Sequence, residues 1–526
     1  MKSVFNTKLH ALIDAGQEAL LGDGLTGIEK ESLRLSKDGR IAQTPHPSRF
    51  GSALTHPWIT TDYSEALIEL ITPPCGEAEE TLGFLNDLHR FVHEHLDQEV
   101  LLASSMPIGL AGDESIPIAQ YGSSNIGQMK HIYRKGLAYR YGRTMQSIAG
   151  VHFNYSVNEQ LWPVFKELRK VEDPLPRFIS ESYFEVIRNI HRHGWILIYL
   201  FGNSPAIGKS FFTGRESLGR SYPEFDGDTY YKPYATSLRM SDIGYRNDNQ
   251  TSLDISLNDL GDYVRDLESA MNQPYAPYEG IGLVVDGEYR QLSTNILQIE
   301  NEYYSVIRPK QVALSGERPT IALRKRGVRY LELRALDLNS FSPSGITIES
   351  IRFIETFVLM CLLTESPMFD TDEKVETSQN SLSVACCGRT PGIHLLRHGN
   401  TIALKDWANQ ILDAMFEIAE LLDTRLDLGT TYRDAVEAQR AGVNDPELTL
   451  SARVLREMRE QGLSFEAYAL KLSEEHADYW RKHALTDRKR SVLAEEADSS
   501  WRQQRKVEQS DLLDFDTYLK RYMEIR

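Results

Sequence analysis

The stretch GIEKESLRL, residues 27–35, places two carboxylates two positions apart in a segment that continues with leucines. Successive side chains of a β-strand point to opposite faces, so Glu29 and Glu31 share one face with Leu33 and Leu35. A carboxylate inside an apolar row is costly unless a cation compensates it. The pattern therefore predicts a strand that carries charged groups towards a functional site.

Three further segments repeat this arrangement. Glu332 and Arg334 share a face in YLELRAL, His152 and Asn154 share one in SIAGVHFNYS, and Glu69 interrupts the apolar run of SEALIELITPP. One such pair would most simply face solvent, but four segments in one chain favour a common site. Several acids with a histidine and no thiolate favour Mg²⁺ or Mn²⁺ held by oxygen ligands, between protein carboxylates and nucleotide phosphates. We therefore predict a sheet with a metal–phosphate site on one face.

No standard nucleotide-binding loop accompanies these strands. FGNSPAIGKS reads Gly202-x₅-Gly208-Lys209-Ser210, which is one residue longer than the P-loop spacing. No GxGxxG motif follows a predicted strand either. Arginine and lysine side chains around the metal cluster are the expected phosphate contacts.

Composition sets the outer limits of this interpretation. The chain has 526 residues, 41% of them hydrophobic, and a formal net charge of −17. This is enough apolar material for a large core and excludes a mostly disordered chain. The negative charge disfavours broad binding to nucleic acid or acidic membranes, although a local basic cleft for an anionic ligand is compatible with it.

The chain changes character near residue 345. Residues 3–22 predict an amphipathic helix. The following sequence, up to residue 345, is rich in strand and turn signals and contains predicted helices over 78–98 and 181–192. Long 3.6-residue periodicities dominate afterwards. We predict an α+β fold with a strand-rich catalytic body over 1–345 and a mainly helical region over 346–526, packed on the same unit.

The four cysteines are too few for a disulfide scaffold, which favours a reducing, cytoplasmic location. Adjacent Cys386 and Cys387 are most simply a packed, reduced pair. The N-terminus does not resemble a signal peptide, and no apolar stretch reaches the roughly 20 residues that span a bilayer.

The motifs together resemble one enzyme family. GIEKESLRL, GSALTHPWITTDYSEALIELITP, SMP, AQYGSSNIG, YRKGLAYRYG, MQSIAGVHFNYS, YLFGNSPA, PYATSLRMSDIGY, LQIENEYYSVIRPK and YLELRALDLNSFSP run in the order found in bacterial glutamate–cysteine ligases of the enterobacterial type. NDPELTLSARVL, near residue 450, is similar to their C-terminal region. The resemblance implies a curved antiparallel sheet like that of glutamine synthetase, forming a funnel-shaped active site.

The resemblance also implies roles for individual residues. Its implied metal ligands are Glu29, Glu31, Asp62, Glu69, His152 and Glu332. Its implied substrate-binding residues are Gln146, Ile148 and Asn301 for glutamate, Arg239 as a second anion-binding arginine, and Tyr133, Tyr245 and Tyr304 for cysteine. Arg334 would hold glutamate and act in catalysis with Glu332. Gln311 departs from the family pattern, where a basic residue is typical, at the periphery of the implied phosphate site.

The implied reaction joins L-cysteine to the γ-carboxylate of L-glutamate through a γ-glutamyl phosphate, with ATP as co-substrate and Mg²⁺ or Mn²⁺ as cofactor. A monomer that binds neither nucleic acid nor membrane is expected, and feedback inhibition by glutathione is a further expectation. Three alternatives stay open at this point: a carboxylate–amine ligase with another acceptor, a metal-dependent phosphotransferase, and a non-catalytic metabolite-binding protein. The intact acidic residues disfavour the last of these.

Overall fold

The computed structural model describes residues 5–244, 253–314 and 316–524. The strands of these residues are β1 Leu25–Ser36, β2 Ile59–Thr61, β3 Leu67–Ile71, β4 Glu99–Leu101, β5 Val151–Ser156, β6 Ala206–Gly208, β7 Thr229–Tyr231, β8 Val284–Val285, β9 Glu288–Tyr289, β10 Ile307–Lys310, β11 Tyr330–Leu336, β12 His394–Arg397 and β13 Asn400–Ala403.

The α-helices of the described residues are Leu9–Asp14, Ala78–His93, Asn125–Tyr141, Leu161–Leu168, Leu175–His193, Trp195–Phe201, Glu216–Gly219, Leu260–Asn272, Ala276–Ile281, Pro319–Arg326, Ile348–Leu363, Thr371–Cys387, Leu404–Leu426, Thr431–Asn444, Leu450–Gln461, Phe465–Lys482, Asp487–Ser510 and Phe515–Glu524.

Strand β1, which contains GIEKESLRL, is the centre of the main sheet. Over the described residues this sheet has seven strands, in the order β10–β11–β5–β1–β3–β2, with β4 paired to the far end of β1. All of these pairings are antiparallel. The outer strands β10 and β2 do not pair with each other in the described part of the chain, so the sheet is open. The predicted α+β class with an antiparallel sheet is confirmed.

The two faces of β1 have different environments. Lys30 lines a small cavity together with His89 of the helix Ala78–His93 and Trp480 of the helix Phe465–Lys482. Glu29, one position earlier, lines a much larger cavity on the opposite face. Because side chains alternate along a strand, β1 contributes Lys30 to the buried face of the sheet and Glu29 to the face that lines the large cavity.

The predicted N-terminal helix over 3–22 is wrong as a single element. The α-helix covers Leu9–Asp14, and a separate 3₁₀ helix follows at Glu18–Gly22. Gly16 lies between them with φ +65°, a backbone conformation that an α-helix cannot continue through.

One core unites the two parts of the chain. The helix Ile348–Leu363, which is mostly apolar, is buried from Ser350 to Leu363. The largest apolar cluster of the described residues runs from Phe5 to Leu493 and includes this helix. The first part also contains long helices such as Leu175–His193, so it holds more helix than its strand-rich interpretation indicates. The boundary at residue 345 stays a prediction.

Within the described residues, no helix combines the length and the apolar character that crossing a membrane requires.

Candidate active site

Strand register brings the predicted acidic residues together. Glu29 lies opposite His152 on β5, and Glu31 lies opposite Glu69 on β3. The His152 ring is 3.2 Å from Glu29 (Nδ1 to Oε2), 3.6 Å from Glu31 (Nε2 to Oε1) and 3.6 Å from Glu332 (Nδ1 to Oε1). Among the described residues, Glu29, His152 and Glu332 offer ligand atoms that lie within 4.8 Å of one another. Four strands that are far apart in sequence thus supply one cluster.

Near β3, this cluster brings several buried carboxyl groups close to one another. Burial raises the pKa of Glu69 well above its usual value, and the carboxylates of Glu29, Asp62 and Glu31 raise it further. Burial also raises the pKa of Glu31, whose Oε2 accepts a hydrogen bond from the backbone N–H of Gly150 at 2.7 Å. Confined like charges of this kind are stabilised by a cation. Oxygen donors with one imidazole are a set that suits Mg²⁺ or Mn²⁺.

The opposite side of the cluster is already compensated by cations. Burial disfavours ionisation of Glu332, but Lys310, Arg334 and His152 outweigh it and hold its pKa well below the usual value. Lys310 Nζ lies 3.0 Å from Glu332 Oε2, and Arg334 Nη1 donates to Glu332 Oε1 at 2.8 Å. The shared face predicted for Glu332 and Arg334 is therefore present. Arg334 Nε is buried without a hydrogen-bond partner among the described residues, so this guanidinium retains donor capacity.

These groups open into a cavity of about 430 Å³, a size typical of small-molecule sites. The predicted residues that line it are Glu29, Asp62, Glu69, Tyr133, Gln146, His152, Asn301, Tyr304, Glu332 and Arg334. Further cationic side chains in its wall, which sequence reasoning missed, are Lys130, Arg134, Arg308 and Lys310. Their spacing was a usable signal, because Lys130 and Arg134 are one helical turn apart and Arg308 and Lys310 share a strand face.

In the described part of the chain, three predicted residues do not line this wall: Glu31, a predicted metal ligand, and the predicted substrate-binding residues Ile148 and Arg239. Ile148 is fully buried and Arg239 is 1% exposed, and neither lines the cavity. Arg239 is buried beside β11, where its Nη2 donates to the backbone carbonyl of Arg334 at 2.9 Å and its Nη1 is 3.9 Å from Asp337, and its charge offsets part of the rise in the pKa of Glu31. Tyr245 lies outside the described residues. Their substrate-binding roles stay predictions.

Other sequence features lie away from the cavity. Lys209 of the P-loop-like segment pairs with Glu224 at 2.9 Å, in agreement with its interpretation as a false motif. The Gln311 amide donates to backbone carbonyls of residues 326 and 327, outside the cavity wall. The prediction of a packed cysteine pair is wrong for Cys387, which is exposed at a helix end, whereas Cys386 is half-buried. None of the four cysteines lines the cavity as the described residues define it.

An open antiparallel sheet with clustered carboxylates, an imidazole and several cationic side chains in one cavity is typical of enzymes that act on anionic substrates. Comparison with known proteins specifies the family. The sequence model of the glutamate–cysteine ligase family matches residues 9–384, and the chain belongs to this family.

Relatives and solved structures agree with this assignment. The glutamate–cysteine ligase of Pseudomonas paraeruginosa is 48% identical over 522 residues, which cover 99% of this chain and 98% of that protein. That of Azotobacter vinelandii is 47% identical over 529 residues, with the same coverages. The crystal structure of the Francisella tularensis glutamate–cysteine ligase in complex with AMP matches with a TM-score of 0.89 at 36% identity, covering 95% of this chain and 98% of that one. A bifunctional glutathione synthetase from Pasteurella multocida matches with a TM-score of 0.70 at 25% identity, covering 90% of this chain and 55% of that one.

Proposed function

We propose that this enzyme makes γ-glutamylcysteine from L-glutamate, L-cysteine and ATP, through a γ-glutamyl phosphate. The observation that carries the proposal is the Glu332–Arg334 pair at the cavity, beside a cluster of carboxylates and one histidine. An arginine fork with free donor capacity suits the carboxylate of an amino acid. The carboxylate cluster suits the cations that accompany nucleotide phosphates.

Glu29, Glu31, Asp62, Glu69, His152 and Glu332 are the proposed ligands of Mg²⁺ or Mn²⁺. Bound there, the metal would neutralise phosphate charge and so allow two anions to approach each other. The residues fit this role because their donor set is carboxylate oxygen plus one imidazole, and because burial and the neighbouring carboxylates raise the pKa of Glu69, an effect that a bound cation would oppose.

The cationic side chains of the protein would bind the carboxylate and phosphate groups of the substrates. Arg334 would hold glutamate so that a γ-carboxylate oxygen is in line with the γ-phosphorus of ATP, and ADP would leave as the new P–O bond forms. Lys310, Arg308 and the helix residues Lys130 and Arg134 would bind the phosphates. The cysteine amine would then attack the acyl carbon, and phosphate would leave with the former carboxylate oxygen. This scheme works through positioning and charge, and needs no nucleophile from the protein.

The proposal divides this wall into two amino-acid subsites. Arg334, Gln146 and Asn301 are assigned to glutamate, and Tyr133 and Tyr304 to the cysteine acceptor. Burial raises the pKa of Tyr133, so its hydroxyl stays protonated near neutral pH and can donate a hydrogen bond. Monomeric state, cytoplasmic location and feedback inhibition by glutathione remain predictions.

An acceptor panel tests the proposal. With ATP and glutamate present, release of ADP and phosphate and formation of amide product are measured for cysteine, 2-aminobutyrate and ammonia. We expect cysteine to give the highest kcat/KM, with one phosphate per γ-glutamylcysteine. Another acceptor with a higher value would make this a related carboxylate–amine ligase, and ADP without free phosphate would indicate a phosphotransferase. Lys209→Met, outside the cavity, is the control variant that should keep wild-type rates.

A further inference from the structure

Tyr121 is buried next to the cavity wall, against the helix Asn125–Tyr141 that supplies Lys130 and Arg134. It is 2% exposed and does not itself line the cavity as the described residues define it. The centre of its ring is 5.1 Å from Lys130 Nζ and 4.7 Å from Arg134 Cζ. A cation within about 6 Å of a ring centre is attracted by the negative face of the ring. One aromatic ring therefore stabilises two cations of the wall.

The ring stabilises these cations without neutralising them. Lys130 and Arg134 are one helical turn apart, where like charges repel each other. Within the described part of the chain neither forms an ion pair, and Arg134 donates only to the backbone carbonyls of Asp62 at 2.5 Å and of Lys130 at 3.0 Å. Lys310 in the same wall differs, because its Nζ is 3.0 Å from Glu332. Lys130 and Arg134 thus keep their charge and donor capacity for an anion in the cavity.

The hydroxyl end of Tyr121 is anchored beside the acidic cluster. Its Oη donates to the backbone carbonyls of Thr61 at 2.8 Å and Asp62 at 3.0 Å, and accepts a hydrogen bond from Thr61 Oγ1 at 3.1 Å. The same Asp62 carbonyl accepts the bond from Arg134 Nε, and Asp62 lines the cavity. Tyr121 therefore links the backbone of a proposed metal ligand to the two cations.

The backbone around Tyr121 is held against the helix as well. A Cβ atom at Gly127 would come within 2.4 Å of the Tyr121 carbonyl oxygen, so glycine is needed for this close approach. One turn later, His131 Nδ1 is 2.8 Å from the carbonyl oxygen of Ala119. These contacts fix the position of the ring relative to the cations that it serves.

We propose that Tyr121 is a positioning residue for phosphate binding: its ring holds Lys130 and Arg134 towards the cavity, and its hydroxyl fixes their distance from Asp62. The inference rests on the proposed function, in which these cations bind the phosphates, and deepens it. A phosphate that contacts both a metal ion and a guanidinium needs the two at one fixed spacing, and charges arranged in advance need no rearrangement on binding. Tyr121 itself would touch neither substrate nor metal.

Substitution of the ring tests this role. A cation–π contact changes an equilibrium constant by roughly 2- to 30-fold. We expect Tyr121→Leu to raise the Kd for MgADP about 10-fold, measured by calorimetric titration without amino acids, with the KM for glutamate within about twofold of wild type. Tyr121→Phe keeps the ring and should keep the Kd within about threefold.

Tyr468→Leu is the matched control for the loss of a buried tyrosine. Tyr468 is also 2% exposed, its hydroxyl donates to Glu457 at 2.8 Å, and it lies outside the cavity wall. This variant should lower the stability to urea and leave the Kd for MgADP unchanged.

Two further measurements separate positioning from general destabilisation. Progressively fluorinated phenylalanine analogues, incorporated at position 121, approximately keep the shape of the ring and weaken its negative face, so the Kd for MgADP should rise with fluorination. In an Arg134→Gln background, Tyr121→Leu should add less than its full effect, because Tyr121 acts through Arg134.

Failure of this inference is distinguishable from failure of the proposed function. A wild-type protein that makes no γ-glutamylcysteine but shows these effects on MgADP binding would refute the function and support the role of Tyr121. An unchanged Kd in Tyr121→Leu, equal losses in Tyr121→Leu and Tyr121→Phe, a Kd that does not respond to fluorination, or full additivity with Arg134→Gln would overturn the role.

Discussion

Lys30 is a charged residue held on the buried side of the strand that carries Glu29 and Glu31. It is 3% exposed, and its Nζ donates to Ser32 Oγ at 2.5 Å. Its small cavity is lined by histidines and Trp480, and contains no carboxylate among the described residues. Burial lowers the pKa of Lys30 to about 7. We predict that Lys30→Met, which keeps the approximate volume and removes the charge, stabilises the protein at neutral pH.

The magnitude follows from proton linkage. The pKa falls from 10.5 to about 7, and at about 1.36 kcal/mol per unit this corresponds to roughly 5 kcal/mol of unfavourable free energy when both states are protonated. That cost is complete below pH 7. Between pH 7 and about 10.5 the unfolded chain binds more protons than the folded protein, so the free energy of unfolding of the wild type rises with pH.

The substitution also removes one hydrogen bond, worth about 1 kcal/mol. Allowing for that loss and for imperfect repacking, Lys30→Met should gain roughly 2–4 kcal/mol at pH 7. Its advantage should shrink towards pH 10.

Urea unfolding at pH 6, 7, 8.5 and 10 in metal-free buffer measures the effect. Lys37→Met, at an exposed turn position, is the matched control and should change stability by less than about 0.5 kcal/mol. A Lys30→Met variant that is less stable than wild type at pH 7, or a difference that does not depend on pH, would refute the reasoning.

Three further predictions concern the site. Excess EDTA should abolish turnover. Glu332→Gln should lower kcat by roughly 100-fold or more with the fold retained, because the substitution removes a charge at the cluster. Circular dichroism measures the fold and initial rates measure kcat, and a near-normal rate would make Glu332 structural. Arg334→Lys should lower kcat/KM for glutamate by about 10- to 150-fold, since a point charge does not reproduce a bidentate hydrogen-bonded contact worth about 1.5–3 kcal/mol. Tyr304→Phe should instead mainly raise the KM for cysteine. The reverse pattern in steady-state kinetics would exchange the two subsites. Replacing all four cysteines by serine or alanine should leave measurable ligase activity, and its loss in a folded variant would contradict a scheme without a protein nucleophile.

The sequence predicts the acidic centre of the site well because its signal is local. Alternation along one strand determines that Glu29 and Glu31 share a face, and the same rule applies to Glu332 and Arg334. The antiparallel register that places His152 opposite Glu29 then follows from pairing of apolar rows. The charged face of the sheet was therefore predictable before its partners were known.

The remaining wall depends on packing between distant segments. Tyr522 reaches the cavity only because the last helix packs on a helix almost 400 positions earlier in the chain, and no local pattern encodes that contact. Arg239 is a different case, because its motif is recognisable from the sequence whereas its hydrogen bond to the backbone carbonyl of Arg334 depends on packing, and its substrate-binding role stays a prediction. The prediction of a single N-terminal helix was wrong because it rested on apolar periodicity and did not take into account the break at Gly16, where φ is +65°.

Oxygen transfer from glutamate to phosphate tests the central claim most directly. The enzyme is given glutamate labelled with ¹⁸O in its γ-carboxylate, together with ATP, Mg²⁺ and cysteine, and the released phosphate is analysed by mass spectrometry. If the γ-carboxylate attacks the γ-phosphorus, each phosphate released with γ-glutamylcysteine carries one ¹⁸O atom. Formation of γ-glutamylcysteine with unlabelled phosphate would contradict the account.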